Sequence, residues 1–200
     1  GNPKRPHALL TSGKHSSGFF NSELVTEDPS LLDKASFALC EGLERAGLDM
    51  EVIDRVVGPA MGAITLAHCV AFHVGEQRAR PCLRAYTEKE DSVDGKIMVF
   101  KKTTIKKFEQ VLAVEDVLTT GGSVDLTVKA VIGAGGAILP FVAVLVNRSG
   151  LENVNGKKII SLVDRPMPIW EPAVCPLCKE GSTALHPKKN ENWERLNGSY

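Results

Sequence analysis

Along the chain, short runs rich in β-branched residues alternate with longer stretches whose apolar positions recur at helical spacing. That alternation is the pattern of a parallel sheet whose strands are joined by helices. Asp28 followed by Pro29 predicts a helix start, a capping carboxylate and then Pro at the first helical position. Leu31, Leu32, Ala35, Leu39 and Leu43 then recur near the helical period, and Gly47 predicts the stop. EVIDRVVGPA (51–60) reads as a strand running into a Gly-Pro turn, and the small apolar segment 64–72 as a helix packed on the sheet. A short strand is expected at 81–85. Residues 86–110 are polar and Lys-rich and read as a mobile excursion or a β-hairpin. VLAV (111–114) is the strongest buried strand, followed by a Gly-rich turn and a helix through Ile132. Gly135 and Gly136 predict the turn into a strand over 138–146, and a last strand is expected at 158–163. From Arg165 onward Pro and polar residues dominate. The expectation is one domain over 3–165 with a C-terminal extension over 166–200.

Composition narrows the class. At 200 residues with 43% hydrophobic and 24% charged positions, the chain is long enough to bury one core of ordinary size. Lys plus Arg and Asp plus Glu are 24 each, and this balance disfavours a nucleic-acid binder. No apolar run approaches the roughly 20 residues that span a bilayer, and GNPKRPHALL (1–10) carries no secretory core. Cys40, Cys69 and Cys82 sit in apolar stretches and read as small core residues, so a cytoplasmic protein with reduced thiols is expected.

The chemistry concentrates in VLAVEDVLTTGGS (111–123). A buried strand runs into two adjacent carboxylates, Glu115 and Asp116, which are expected to project at the C-terminal edge of the sheet, where open α/β sheets bind ligands. Thr119, Thr120, Gly121, Gly122 and Ser123 follow. Glycines let backbone amides approach an anion, and the hydroxyls and a helix start add donors. Phosphate and carboxylates repel unless something lies between them. A ribose fits, with its hydroxyls on the carboxylates and its 5-phosphate in the loop. No Walker loop occurs, and the glycine cluster 133–136 is read as a turn.

This run resembles the motif of type I phosphoribosyltransferases that binds 5-phosphoribosyl-1-pyrophosphate (PRPP). The resemblance implies a Rossmann-like, doubly wound parallel α/β sheet with a small N-terminal hood. LTSGKHSSGFFN (10–21) is similar to the N-terminal motif of the orotate branch, which implies pyrophosphate contact by Lys14 and a base pocket helped by Phe19 and Phe20. Taken alone, Lys14 and His15 on a Ser/Gly loop suit phosphate and the Phe pair suits a planar ring, or else core packing. VLVNRSG (144–150) delivers Arg148 to the same edge, and in the orotate enzymes an Arg here contacts the base. Its guanidinium fork matches the carboxylate of orotate. Asn147 replaces the Asp usual in that family. VGPAMGAI (57–64) resembles the pyrophosphate loop, implying roles for Gly58, Pro59, Ala60 and Met61. Arg84, expected at the end of the next strand, matches an Arg that binds pyrophosphate, often across a dimer interface.

The departure comes just after, in RAYTEKEDS (84–92), where the family's adjacent Lys is absent and no His lies between 84 and 110. Lys89, or Lys96, Lys101 and Lys102, would substitute, or these lysines are a solvated surface. The resemblance implies transfer of the phosphoribosyl group from PRPP to orotate by a homodimer, with Glu115, Asp116, Arg84 and Lys89 as catalytic residues. Mg²⁺ is expected to be held through PRPP without direct protein ligands. A transferase for another base and a catalytically weak PRPP-binding regulator are the alternatives. In the tail, Cys175 and Cys178 form a CxxC, half of a structural metal site. His186 or another chain would have to complete it, and a redox-inert or weakly metal-binding turn is the simpler expectation.

Overall fold

The computed structural model describes residues 5–93, 95–189 and 191–199; the expected domain start at residue 3 lies outside them. Two short strands, β1 (His7–Leu9) and β2 (His15–Ser16), precede the one-turn helix α1 (Glu23–Thr26). Asp28 then starts α2 (Pro29–Arg45), its carboxylate accepting from the amides of Ser30 at 2.9 Å and Leu31 at 3.2 Å. Gly47, at φ +95°, closes the helix end with its amide on Glu44 O. The buried stripe of α2 is Leu32, Leu39, Cys40 and Leu43. Each fully buried leucine contributes roughly 2 kcal/mol of apolar burial.

The central elements follow in chain order. They are β3 (Arg55–Pro59), α3 (Ala63–Gln77), β4 (Leu83–Ser92), β5 (Gly95–Val99), β6 (Gln110–Leu118), α4 (Gly122–Gly133), β7 (Ala137–Asn147), β8 (Asn153–Val154) and β9 (Lys157–Asp164). Their sheet has the order β5-β4-β3-β6-β7-β9-β8, parallel throughout except for the antiparallel edge partners β5 and β8. Strand alternation turns Val57, Val111 and Ala113 toward α4, where they pack with Val128 and Val131 in two apolar clusters. Helix α3 packs on β3, β4 and β6. From β3 the chain winds outward to β4, and from β6 it winds the other way through β7 to β9. The order therefore reverses between β3 and β6, and the loops leaving their C-terminal ends diverge there, the usual place for a ligand in a doubly wound sheet.

Of the two readings of residues 86–110, the structure takes the β-hairpin. They begin as a regular ribbon in which Glu88 to Ser92 pair with Val99 to Gly95, and the strand expected at 81–85 runs to Ser92. A two-stranded ribbon at a sheet edge needs no apolar face, so polar residues suit it. The chain also divides into two compact units, Ser22–Arg165 and a smaller one that joins residues up to Asn21 with those from Pro166. The smaller unit holds β10 (Ile169–Trp170), α5 (Pro176–Lys179), β11 (Ala184–Leu185) and α6 (Asn192–Asn197). Its sheet has the order β10-β2-β1-β11, so the N-terminal hood and the tail extension are one structure.

Candidate functional site at the strand-order reversal

The acidic pair does not lie at the end of its strand. Strand β6 continues through Val117 and Leu118, so Glu115 and Asp116 sit within its last four residues. Adjacent strand residues face opposite sides, and the two carboxylates consequently live in different surroundings. Asp116 is half-buried, and its Oδ2 accepts a 2.6 Å hydrogen bond from Ser22 Oγ. Gly62, just before α3, lies beneath it, and a Cβ there would come within 2.7 Å of the Asp116 Cγ. Ser22 carries no sequence signal that would have marked it for this contact.

Glu115 is 7% exposed. Burial, then the neighbouring Asp116 charge, push its carboxyl well above the usual carboxylate range, and Lys89 on the ribbon opposes them. Lys89, exposed on β4, is thus in electrostatic reach of the acidic pair. A carboxyl with a raised folded-state pKa contributes its stability below the ordinary value of 4.5 and loses it as the pH rises through the folded-state value. Relative to Glu115→Gln, the wild type is expected to lose about 1.4 kcal/mol per pH unit from the ordinary value of 4.5 up to the pH at which the folded protein's Glu115 ionises, and nothing further above it. Thermal unfolding of both proteins between pH 5 and pH 8 checks this, and parallel curves would contradict it.

Loop 119–123 links β6 to α4. Gly121 has φ +80°, and a Cβ on it would lie 2.9 Å from Val154 Cγ2, so only glycine fits. The loop's exposed Thr119 and Thr120 precede the first turn of α4. None of the five amides of 119–123 donates to another described residue, and the N-terminal dipole of a 12-residue helix stands behind them. The neighbouring loop leaves β3 at Gly58, where a Cβ would meet Ala63 Cβ at 2.7 Å, so the chain turns tightly into α3. Pro59 ends the strand, the Ala60 amide is tied to Thr87 O at 2.7 Å, and Met61 is 83% exposed. Two helix N-termini thus open on one edge beside a carboxylate, which suits two anionic groups separated by a hydroxyl-bearing one.

Arg148 follows β7 at the same edge, its amide on Leu118 O at 3.0 Å. The residue is 4% exposed and desolvation lowers its pKa from the usual value. Asn147 is more telling. Its Nδ2 donates to Asp164 Oδ1 at 2.9 Å and Leu151 O at 2.8 Å, and its Oδ1 accepts from Ser149 N at 3.1 Å and Ser149 Oγ at 2.6 Å. An Asp here would set a second carboxylate against Asp164. Asn147→Asp is expected to destabilise the protein by about 2 kcal/mol, measured by urea unfolding, and pairing it with Asp164→Asn should recover part of the loss.

Arg84 is not at the end of its strand. It is the second residue of β4 and pairs with Val56, about 10 Å along the strand before the level of Pro59. Its guanidinium stacks over Tyr86 at 5.9 Å and lines a surface groove on α3 with Phe72, Cys82 and Pro81. The remaining candidates belong to the smaller unit. Lys14 pairs with Glu171 at 2.7 Å, Phe19 meets Trp193 edge-on at 6.1 Å, and Phe20 is half-buried. His15, read as a phosphate ligand, is 8% exposed and turned toward His7, with ring nitrogens 3.1 Å apart.

Comparison with known proteins agrees with this layout. The family model of the phosphoribosyl transferase domain matches residues 31–176. The chain is 34% identical to the orotate phosphoribosyltransferase of Desulforamulus reducens over 181 residues, 90% of this chain and 87% of that protein. It is 36% identical to that of Caldicellulosiruptor bescii over the same shares. Among solved structures, orotate phosphoribosyltransferase from Aeropyrum pernix superposes with a TM-score of 0.59 at 24% identity, covering 80% of this chain and 86% of the other. An adenine phosphoribosyltransferase from Thermoanaerobacter pseudethanolicus gives 0.55 at 20% identity, covering 70% and 83%, so the fold alone does not choose the base. With relatives this similar over nine-tenths of its length, the chain belongs to the phosphoribosyltransferase family, among the orotate phosphoribosyltransferases.

Proposed function

We infer that this protein transfers the 5-phosphoribosyl group from PRPP to orotate, giving orotidine 5′-monophosphate and pyrophosphate. The observation that carries the reading is the set of unspent amides in loop 119–123 beside the Ser22-anchored carboxylate of Asp116, in a chain 34–36% identical to orotate phosphoribosyltransferases. The 5-phosphate sits on Thr119, Thr120, Gly121, Gly122 and Ser123. Asp116 accepts from the ribose hydroxyls, and the buried Glu115 backs it. Pyrophosphate leaves toward Gly58, Pro59, Ala60 and Met61 at the start of α3. As the C1–O bond breaks, positive charge grows on the sugar ring and the Asp116 carboxylate faces it, while the orotate nitrogen closes on C1. Catalysis is then positioning and electrostatic stabilisation, with no covalent step by the protein.

The edge offers hard oxygen donors, which fit Mg²⁺. Asp116 and Glu115 would hold the ion through the ribose hydroxyls, and it supplies charge neutralisation for the departing pyrophosphate. Lys89, on the ribbon and near Glu115, takes the part of the family's missing lysine, and closure of the ribbon excludes water. Arg148 receives the orotate carboxylate. Arg84 lies too far down β4 to serve its own chain's edge. Its place among exposed Phe72 and Leu83 supports a homodimer in which it serves the partner's site. No helix among the described residues is long and apolar enough to cross a membrane. Free thiols at all five cysteines suit the cytoplasm.

The test is a base screen. The protein is mixed with PRPP, Mg²⁺ and orotate, and loss of orotate absorbance is followed. Turnover with orotate and none with adenine or hypoxanthine is expected. Turnover only with a purine would reassign the base, and PRPP binding by calorimetry without product from any base would make the protein a regulator.

A further inference from the structure

We propose that His7, His15, Cys175 and Cys178 form a tetrahedral site for one structural Zn²⁺, clamping the start of the chain to its tail. The four side chains belong to the smaller unit, and their ligand atoms all lie within 4.8 Å of one another. His186, the residue that sequence alone offered to complete the CxxC, is not among them.

The spacings are those of a coordination shell. Zn–N bonds of about 2.0–2.1 Å and Zn–S bonds of about 2.3 Å at tetrahedral angles put nitrogens about 3.4 Å apart and N to S about 3.6 Å apart. His7 Nε2 lies 3.1 Å from His15 Nδ1, 3.5 Å from Cys178 Sγ and 3.6 Å from Cys175 Sγ, and His15 Nδ1 lies 3.2 Å from Cys178 Sγ. A hydrogen-bond network explains this poorly, since a single ring nitrogen carries at most one proton and cannot serve three neighbours. A shared cation serves all of them at once.

The surroundings orient the first ligand. Ser182 Oγ donates to Arg5 O at 2.6 Å, so toward His7 Nδ1, 2.8 Å away, it offers a lone pair. The proton of His7 is thereby held on Nδ1 and the Nε2 lone pair points into the cluster, the usual arrangement behind a metal-bound histidine. Two histidines and two thiols favour zinc over hard cations, so this site is chemically separate from any Mg²⁺ of the transfer reaction.

The unit also needs such a clamp. Its buried apolar side chains among the described residues are the small Pro6, Ala8, Cys175 and Pro187. Its strands are two or three residues long. A unit of this size without an apolar core ordinarily depends on a metal or disulfides.

The experiment uses the full chain, purified without chelator, with metals measured by plasma mass spectrometry. About one zinc per chain is expected. Cys178→Ser and His15→Asn should each lower the content at least about tenfold, Ser182→Ala should weaken zinc affinity about tenfold, and His186→Ala should leave the content unchanged. As a readout independent of variant folding, the wild type stripped of metal and given Co²⁺ should show the intense visible bands of a tetrahedral thiolate site. No stoichiometric metal, no such bands, or a Cys175–Cys178 disulfide in the freshly purified protein would overturn the proposal.

Discussion

Replacing Asp116 by Asn is expected to lower kcat/KM for PRPP by about 10²–10⁴-fold while leaving the fold intact. The estimate follows from two ribose hydroxyls, each donating a charge-assisted hydrogen bond of roughly 1.5–3 kcal/mol to the carboxylate, at 1.4 kcal/mol per factor of ten. The amide keeps the size of the side chain, and its oxygen still accepts from Ser22 Oγ, so the contact that anchors residue 116 survives. What disappears is the charge that faces the developing positive sugar. Steady-state rates should therefore fall mainly in kcat, with thermal stability within a few degrees of the wild type. A loss smaller than about tenfold would remove Asp116 from the ribose site. Glu115→Gln should cost less activity, because burial pushes the Glu115 carboxyl well above the usual carboxylate range, toward the neutral form that Gln mimics.

Gly121→Ala should destabilise the protein by about 2–5 kcal/mol and raise the KM for PRPP. Two separable costs add. An alanine at φ +80° pays a backbone penalty of about 1–2 kcal/mol. Its methyl would also stand 2.9 Å from Val154 Cγ2, an overlap worth about 1–3 kcal/mol. The double variant with Val154→Ala separates them. It should relieve the steric part and leave the backbone part, so that the double-mutant coupling is favourable by about 1 kcal/mol or more. Because the loop amides 120–122 move with Gly121, phosphate affinity should stay impaired in the double variant. Urea unfolding with and without saturating PRPP reads both effects, and additive stability losses would show that Val154 has room to yield.

Local physics made much of the scaffold legible. Asp28, Pro29 and Gly47 bound α2 through one capping carboxylate, one fixed φ and one positive φ. VLAV (111–114) was bound to be a central strand because four successive apolar residues need cover on both faces. The 119–123 motif was readable for the same reason, since its glycines and hydroxyls act within five residues of one another. The polar ribbon left a hairpin and a mobile excursion both open: β4 and β5 are held by cross-strand pairing such as Lys89 with Met98, which has no apolar period to detect. Asn147 looked like a departure from its family until Asp164, 17 residues on, turned out to be its partner.

The order of local signals was enough to determine the alternating elements, the phosphate loop and the orotate-family resemblance, because each depends on neighbours in the chain. Tertiary structure alone decided that Glu115 is buried while Asp116 is half-buried, that Ser22 anchors Asp116, and that His7 and His15 meet Cys175 and Cys178 across some 160 residues. Such contacts are set by how separate segments pair, β1 with β11 above all, and a side chain's neighbours across a sheet leave no trace in the residues beside it.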